Sequence, residues 1–412
     1  MSNVEKELDL GKIDSRQSMI DYLEGYALER KEELDQKKIR HGLLKSYLLE
    51  TLDSPVPAEK RLPNVFGSVR VRTEPIGDGL HRVFDSDLQK YVGFLETVGE
   101  RFAIFYTMEK SEDADRWVRN LVLSSPQLDH VWLSGWTFNA LWKRLKEVSH
   151  PSRFVRIVFE HESIFQVDSE FESDSDEEEG EEREDTVVIV ERRTSKFSLV
   201  DRIRVVADKL DRFQELYSPL YSITRLRFPS PVGQGGHEFF YNGKVTNRSN
   251  SFRDHRSHLL YVLDLYNKLT RQAEKITWYS VEKIPLQKGG EFQKLIGAPL
   301  TVLFHEPLDQ DTFDHFISST FQRVRNRFRL WGNPIKLGPK KVHVYGLDQH
   351  LWQPIFLEIT DKHLMAIVPK GTCGNTIHRL VTNIQRYLDP AAKVVLGNQP
   401  YENLVQESIS GR

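Results

Sequence analysis

RFAIFYTMEKSEDADRWVRNLVLSSPQLDHVWLSGWTFNALWKRLKEVSHPSRFVRIVFEHE, residues 101–162, alternates short apolar runs with longer amphipathic ones. RFAIFYTM (101–108), LDHVWLSG (128–135) and FVRIVFEHE (154–162) have the length and composition of strands. Between them, EDADRWVRNLVL (112–123) and WTFNALWKRLKEV (136–148) set apolar residues at helical spacing. The order is βαβαβ, and strands joined through helices ordinarily lie parallel in one sheet, with ligands bound beyond their carboxyl ends. The expected fold class is α/β and α+β: a helical N-terminal segment, this βαβαβ unit with a mainly parallel sheet, then a C-terminal α+β domain.

Upstream, Met19, Ile20, Leu23, Ala27 and Leu34, then Leu43, Leu44, Tyr47 and Leu48, recur at roughly helical spacing with a break at 34–38, which predicts two helices or one poorly formed coiled coil over 15–52. SPVPAEKRLP (54–63), with three prolines, ends that segment. Downstream, TVVIVERR (186–193) reads as a strand, and Ser198 and Asp201 have the spacing of a capping box at the start of a helix. Residues 222–258 show little periodicity and read as a long loop, followed by a helix over 258–279. The last 120 residues read as strand, helix, three strands, the helix TIHRLVTNIQRYL and a closing strand. The expected units are 1–63, helical with a proline-rich linker; 64–220, α/β; 221–290, a basic loop and helix; and 291–412, α+β.

The net charge of −3 conceals an uneven distribution. Residues 168–185 carry 12 acids against Arg183, a local −11, so the rest of the chain carries +8. So polar a tract reads as the solvated tip of a hairpin, while a basic body suits polyanionic partners. No run of about 18 apolar residues occurs, so no membrane span is expected. The acid-rich N-terminus lacks an apolar signal region, and the single Cys373 cannot close an internal disulfide; both point to the cytoplasm.

Residues 321–346 hold Arg323, Arg325, Arg327, Arg329, Lys336, Lys340 and Lys341 without an acid, interleaved with Phe328, Trp331 and Tyr345. Guanidinium groups pair with phosphates and flat rings stack on bases, which suits single-stranded nucleic acid. Residues 225–258 add Arg225, Arg227, Lys244, Arg248, Arg253 and Arg256 beside a glycine-rich run. A third candidate is KGTCGNTIHR (370–379), where Lys370, Thr372, Gly374, Asn375, Thr376 and Arg379 gather at a helix start that could hold an anion. Cys373 and His378 lie in the same stretch, but the spacing alone supplies no nucleophile with its base. Asp254, His255 and His258 lack third and fourth partners nearby, so no metal site is expected.

The expected function is therefore an intracellular nucleic-acid-binding protein without catalysis, needing no cofactor, with a protein partner on the N-terminal helices. The alternative is an enzyme on phosphate-bearing substrates, using either the strand end at Glu160 and Glu162 with Mg²⁺ or the KGTCGNT helix start with Cys373. A second alternative is a scaffold whose basic face meets an acidic protein.

Overall fold

The computed structural model describes residues 10–37, 42–51, 60–61, 65–66, 70–164, 194–214, 221–285, 290–321 and 326–410. Its first sheet comprises β1 (Lys45–Glu50), β2 (Val71–Gly77), β3 (Leu80–Asp85), β4 (Lys90–Val98), β5 (Phe102–Thr107), β6 (Asp129–His130), β7 (Phe154–Glu162), β8 (Thr194–Arg202), β9 (Ile223–Pro229), β10 (Gly236–Phe240) and β11 (Lys244–Asn247). They lie in the order β2-β3-β4-β5-β1-β11-β10-β9-β7-β8, with β6 paired to β1. The helices in this half are α1 (Arg16–Asp35), α2 (Ser111–Ser124), α3 (Gly135–Val148), α4 (Ile203–Gln214) and α5 (Phe252–Thr277).

The expected parallel sheet is overturned. The runs at β5, β6 and β7 do not pair with one another: β5 lies antiparallel between β4 and β1, β6 pairs antiparallel with β1, and β7 lies antiparallel between β8 and β9. Locally paired hairpins built the sheet instead. β4 turns into β5 at Gly99, whose φ of 59° is a left-handed value that glycine accepts without strain.

The position that makes this order illegible is β1, which enters between β5 and β11. The stretch was expected to be helical, yet all six residues of β1 are buried. A strand covered on both faces loses its alternation, and Leu44 and Leu48 then imitate a helical stripe. Two further corrections follow. Ser198 lies within β8, and α4 begins at Ile203. Residues 223–247, expected as loop, form the meander β9-β10-β11, whose close pairing requires Gly236: a Cβ there would meet the Phe228 carbonyl oxygen at 2.2 Å. TVVIVERR and the acidic tract 168–185 lie outside the described residues.

The second sheet comprises β12 (Trp278–Pro285), β13 (Glu291–Ile296), β14 (Leu300–Leu303), β15 (Leu330–Gly338), β16 (Lys341–Asp348), β17 (Gln353–Thr360), β18 (His363–Pro369), β19 (Lys393–Leu396) and β20 (Gln399–Pro400). Its order is β15-β16-β17-β18-β14-β19-β20, with the β12-β13 ribbon attached at β18. Among the described residues, parallel pairing is confined to two positions, Trp278 with Val368 and Tyr279 with Pro369. The helices here are α6 (Gln310–Phe321), α7 (Asn375–Tyr387) and α8 (Tyr401–Ser410).

Apolar residues of α1, α3 and α5 pack on one face of the first sheet, and Ala114, Val118, Leu121 and Val122 of α2 pack on the other. The core of the second half contains Phe313, Phe316, Ile317 and Phe321 of α6, the apolar stripe of α7, and Leu269 and Ala273 of α5. Phe252 to Tyr266 of α5 belong to the first core, so this helix serves both. Every residue of α7 is buried, although eight of its thirteen side chains, tyrosine not counted, are polar or charged. Among the described residues, no helix is long and apolar enough to cross a membrane.

Candidate nucleic-acid interface

Strands β17 and β18 alternate buried and more exposed residues, and β16 does so over Lys341–Tyr345, which gives the sheet two unlike faces. Leu330, Val342, Val344, Ile355, Leu357, Ile359, Leu364 and Ala366 point into the core. The opposite face is open: Trp331, Tyr345 and Phe356 are 50%, 63% and 38% exposed. Register places Asn333 opposite Tyr345, Tyr345 opposite Phe356 and Phe356 opposite Ile367, a row of side chains across four strands. The rings of Tyr345 and Phe356 meet edge to face at 5.4 Å. Beside them lies a shallow depression of about 280 Å³ between His343, Glu358, Met365 and Ile367.

Of the predicted basic residues, Lys341 borders this face, with Nζ 2.8 Å from Glu358. His343 and His363 approach the same carboxylate at 2.8 and 3.3 Å. Hydrogen bonds from Lys341 and His343 bring the Glu358 pKa down to about 2. Lys336 reaches Asp314 of α6, and Lys340 lies 3.8 Å from Asp361. Arg323 and Arg325 lie outside the described residues.

Of the remaining predicted cations, all but Arg253 turn inward. Lys244 is buried against Asp115 at 2.8 Å and Ser111 at 2.9 Å. Arg225 pairs with Glu160 at 3.0 Å and covers the Phe240 ring. Arg227 and Arg248 share Glu238, and Arg256 binds Glu96 at 2.5 Å. Arg253 is exposed and pairs with Asp21. Arg327 lies 3.8 Å from Glu162, and Arg329 is buried beside Asp129 at 3.3 Å. Apart from Arg253, these groups stabilise the fold by neutralising buried or half-buried acids, a task that leaves less charge for an external phosphate.

The start of α7 does bind anions, but they are the protein's own. The Gly374 N–H donates to Glu274 Oε1 at 2.8 Å, the Asn375 amide to Glu50 Oε2 at 2.6 Å, and the Thr376 hydroxyl to Asp348. Arg101 joins the two glutamates, with Nε 2.5 Å from Glu50 and Nη2 2.6 Å from Glu274. Thr372 accepts from the Trp278 indole through its carbonyl at 2.8 Å, and Lys370 is exposed beyond the end of β18. Arg379, one turn into the helix, is buried between Asp129 and Asp348.

Cys373 is sealed inside this cluster, where burial and then Glu50 push its thiol well above the ordinary range. His378 does not face it; its ring meets Thr270 and Tyr401 at 3.1 and 2.7 Å. The thiol is expected to react with a disulfide reagent on the order of a hundredfold more slowly in the native protein than in urea. Stopped-flow labelling checks this, and equal rates would refute the burial of Cys373.

Glu160 and Glu162 are likewise engaged, with Arg225, Arg386 and Arg327 around them, an environment that repels a divalent cation. His255 contacts Ser46 at 2.8 Å and His237 at 3.3 Å. Among the described residues, no group of three or more His, Cys, Asp or Glu side chains is arranged to hold a metal. Sequence reasoning missed the carboxylates Glu50, Glu274, Asp129 and Asp348. The one signal was Glu50 at the end of an apolar stretch, since a charge on a covered strand demands a partner.

No solved structure matches the chain. It is 23% identical over 411 residues to the uncharacterized protein MJECL33 of Methanocaldococcus jannaschii, covering 92% of this chain and 93% of that protein. The family model described as MJECL33-like protein matches residues 8–403, and a match of that extent means that the chain belongs to this family.

Proposed function

We propose that the protein binds single-stranded nucleic acid on the open face of β15 to β18, in the cytoplasm and without catalysis. The observation that carries the reading is the exposure of Trp331, Tyr345 and Phe356 on an antiparallel sheet whose other face packs Leu330, Val342, Val344, Ile355, Leu357, Ile359, Leu364 and Ala366 into the core. Exposed aromatic rings on a flat sheet form a stacking platform for unpaired bases, sequence-tolerant because every base has a π face. Asn333 and His343 add hydrogen-bonding groups on the same face, and Lys341 supplies a cation at its border. Stacking of this kind calls for no metal or cofactor.

Substituting Trp331, Tyr345 and Phe356 by alanine should leave the fold intact, because their side chains face solvent. Each substitution is expected to remove about 1–3 kcal/mol of binding, roughly a 5- to 150-fold loss in affinity. Fluorescence anisotropy with labelled single-stranded DNA and RNA across a salt series measures it, and the wild type should lose affinity with a log–log slope of about −0.7 per neutralised phosphate. A triple variant that binds as tightly as the parent overturns the reading. Absence of oligonucleotide binding by the wild type at low salt would also overturn it, and would leave the apolar face to a protein partner.

A further inference from the structure

The turn that joins β16 to β17 closes one end of the open sheet face. β16 ends at Asp348 and β17 begins at Gln353, and Leu351 and Trp352 between them have φ of 66° and 52°. Two successive left-handed residues are ordinarily Asn-Gly, because Cβ crowds the following carbonyl oxygen in that conformation. Here a leucine and a tryptophan adopt it. Arg329, two residues before Trp331, is also left-handed, with a φ of 52°. Of the five non-glycine residues with positive φ among the described residues, three therefore lie at this end of the second sheet.

The turn is held from outside. The Pro126 carbonyl accepts from the Leu351 N–H at 2.6 Å and from His350 Nδ1 at 3.1 Å. The Gln349 N–H donates to the Arg329 carbonyl at 2.8 Å, and the His350 N–H donates to Asp348 Oδ1 at 2.9 Å. Asp348 is in turn fixed by Arg379. Backbone strain persists only where the surroundings over-determine it, and it gathers at sites that hold a ligand. The side chain presented by this turn is an indole that is 55% exposed and makes no hydrogen bond or ring contact among the described residues. Register sets it close to the aromatic row: Trp331 lies opposite Leu347, and Leu347 opposite Pro354, two residues after Trp352. At about 4.8 Å between strands and 3.4 Å per residue, Trp331 and Trp352 are on the order of 10 Å apart, within reach of one short strand.

We propose that Trp352 is a further base-stacking residue, an inference that rests on the single-strand reading above. The strained turn holds its indole where a strand leaves the sheet face past the end of β16 and β17. With Trp331, Tyr345 and Phe356 it offers rings to successive bases, so the ligand is a strand several nucleotides long and not a single nucleotide.

Three variants of the full chain test the assignment, by anisotropy with labelled oligo(dT) of about ten nucleotides and by thermal melting. Trp352→Ala is expected to weaken binding about fivefold or more, the low end for loss of one stacked base, and Trp352→Phe, which restores a flat ring, should recover most of it. Trp352→Gly should bind as weakly as Trp352→Ala and yet melt roughly 1–3 °C above it, because glycine accepts a φ of 52° without strain. A residue that served packing alone would lower the melting temperature when lost and leave affinity unmoved. The proposal falls if Trp352→Ala and Trp352→Gly bind as tightly as the parent, if Trp352→Phe binds no better than Trp352→Ala, or if Trp352→Gly melts no higher than Trp352→Ala. Each of those results leaves the sheet face standing, since the wild type still binds. A wild type that binds no oligonucleotide at low salt overturns the sheet-face reading and this inference together.

Discussion

Replacing Arg379 by methionine is expected to destabilise the protein by about 3–5 kcal/mol, the range for breaking a buried ion pair from one side. Arg379 is fully buried. Its Nη1 donates to Asp129, its Nη2 to Asp348 at 2.5 Å, and its Nε to the Phe328 carbonyl at 2.9 Å. Both carboxylates are also fully buried, so methionine would leave them in low dielectric with less compensation. Asp129 retains Arg329 at 3.3 Å, whereas the hydrogen bonds left to Asp348 come from neutral donors, the Thr376 hydroxyl and the His350 backbone N–H, and Arg329 acts on it without a direct ion pair. Asp348 is therefore the more destabilised of the two, and Asp348→Asn added to Arg379→Met should recover part of the loss. Urea unfolding of the three proteins measures both effects. A shift below about 1 kcal/mol for the single variant would mean that the charges are not desolvated as described.

The second large effect is expected in acid. His237, His350 and His378 are buried, and burial lowers their pKa values from 6.5 to about 3, 4 and 3 respectively. Between pH 6.5 and 4 the unfolded chain takes up protons at these positions and the folded chain does not, so acid favours unfolding. The stability they allow is whole above pH 6.5 and is lost as pH falls toward their folded values. Each contributes a slope of up to about 1.4 kcal/mol per pH unit, so the three together approach about 4. Glu50 works in the opposite direction, because burial raises its pKa, but it is a single group against three. With total stabilities of domains near 5–15 kcal/mol, the protein should unfold between about pH 6 and 4. Urea midpoints measured from pH 8 to 4.5 should be flat above pH 7 and then fall steeply. A profile flat down to pH 4.5 would contradict neutral burial of these rings.

Much of the local structure was legible in the sequence. The stripes at 112–123, 136–148, 258–279 and 377–388 foretold α2, α3, most of α5 and α7, since the first three helices bury one apolar side and α7, although buried all round, keeps its apolar residues at helical spacing. The alternation in β16 to β18 was equally plain, because their sheet has one covered and one open face. What sequence order could not convey was pairing. β1 and β11 are neighbours although some two hundred residues separate them, and no local pattern marks that. The basic segments failed to announce their own partners for the same reason: Lys244 finds Asp115 at a separation of 129 residues and Arg225 finds Glu160 at 65. A run of arginines reads as a surface until its acids are located. Trp331 and Tyr345 were named from the sequence, whereas Phe356 joined them only through register.

The helix start at Gly374 to Thr376 also has a consequence for synthesis. Glu50 leaves the ribosome 325 residues ahead of Asn375, and Asp129 precedes Arg379 by 250. At about 5–20 residues per second the wait for Asn375 is roughly 15 to 65 s, during which the acids on the first sheet have no α7 to meet. The nascent chain can form its hairpins and helices early. The charged layer between the two sheets can close only when the last forty residues emerge, and until then the surface destined for α7 stays hydrated and open to chaperones.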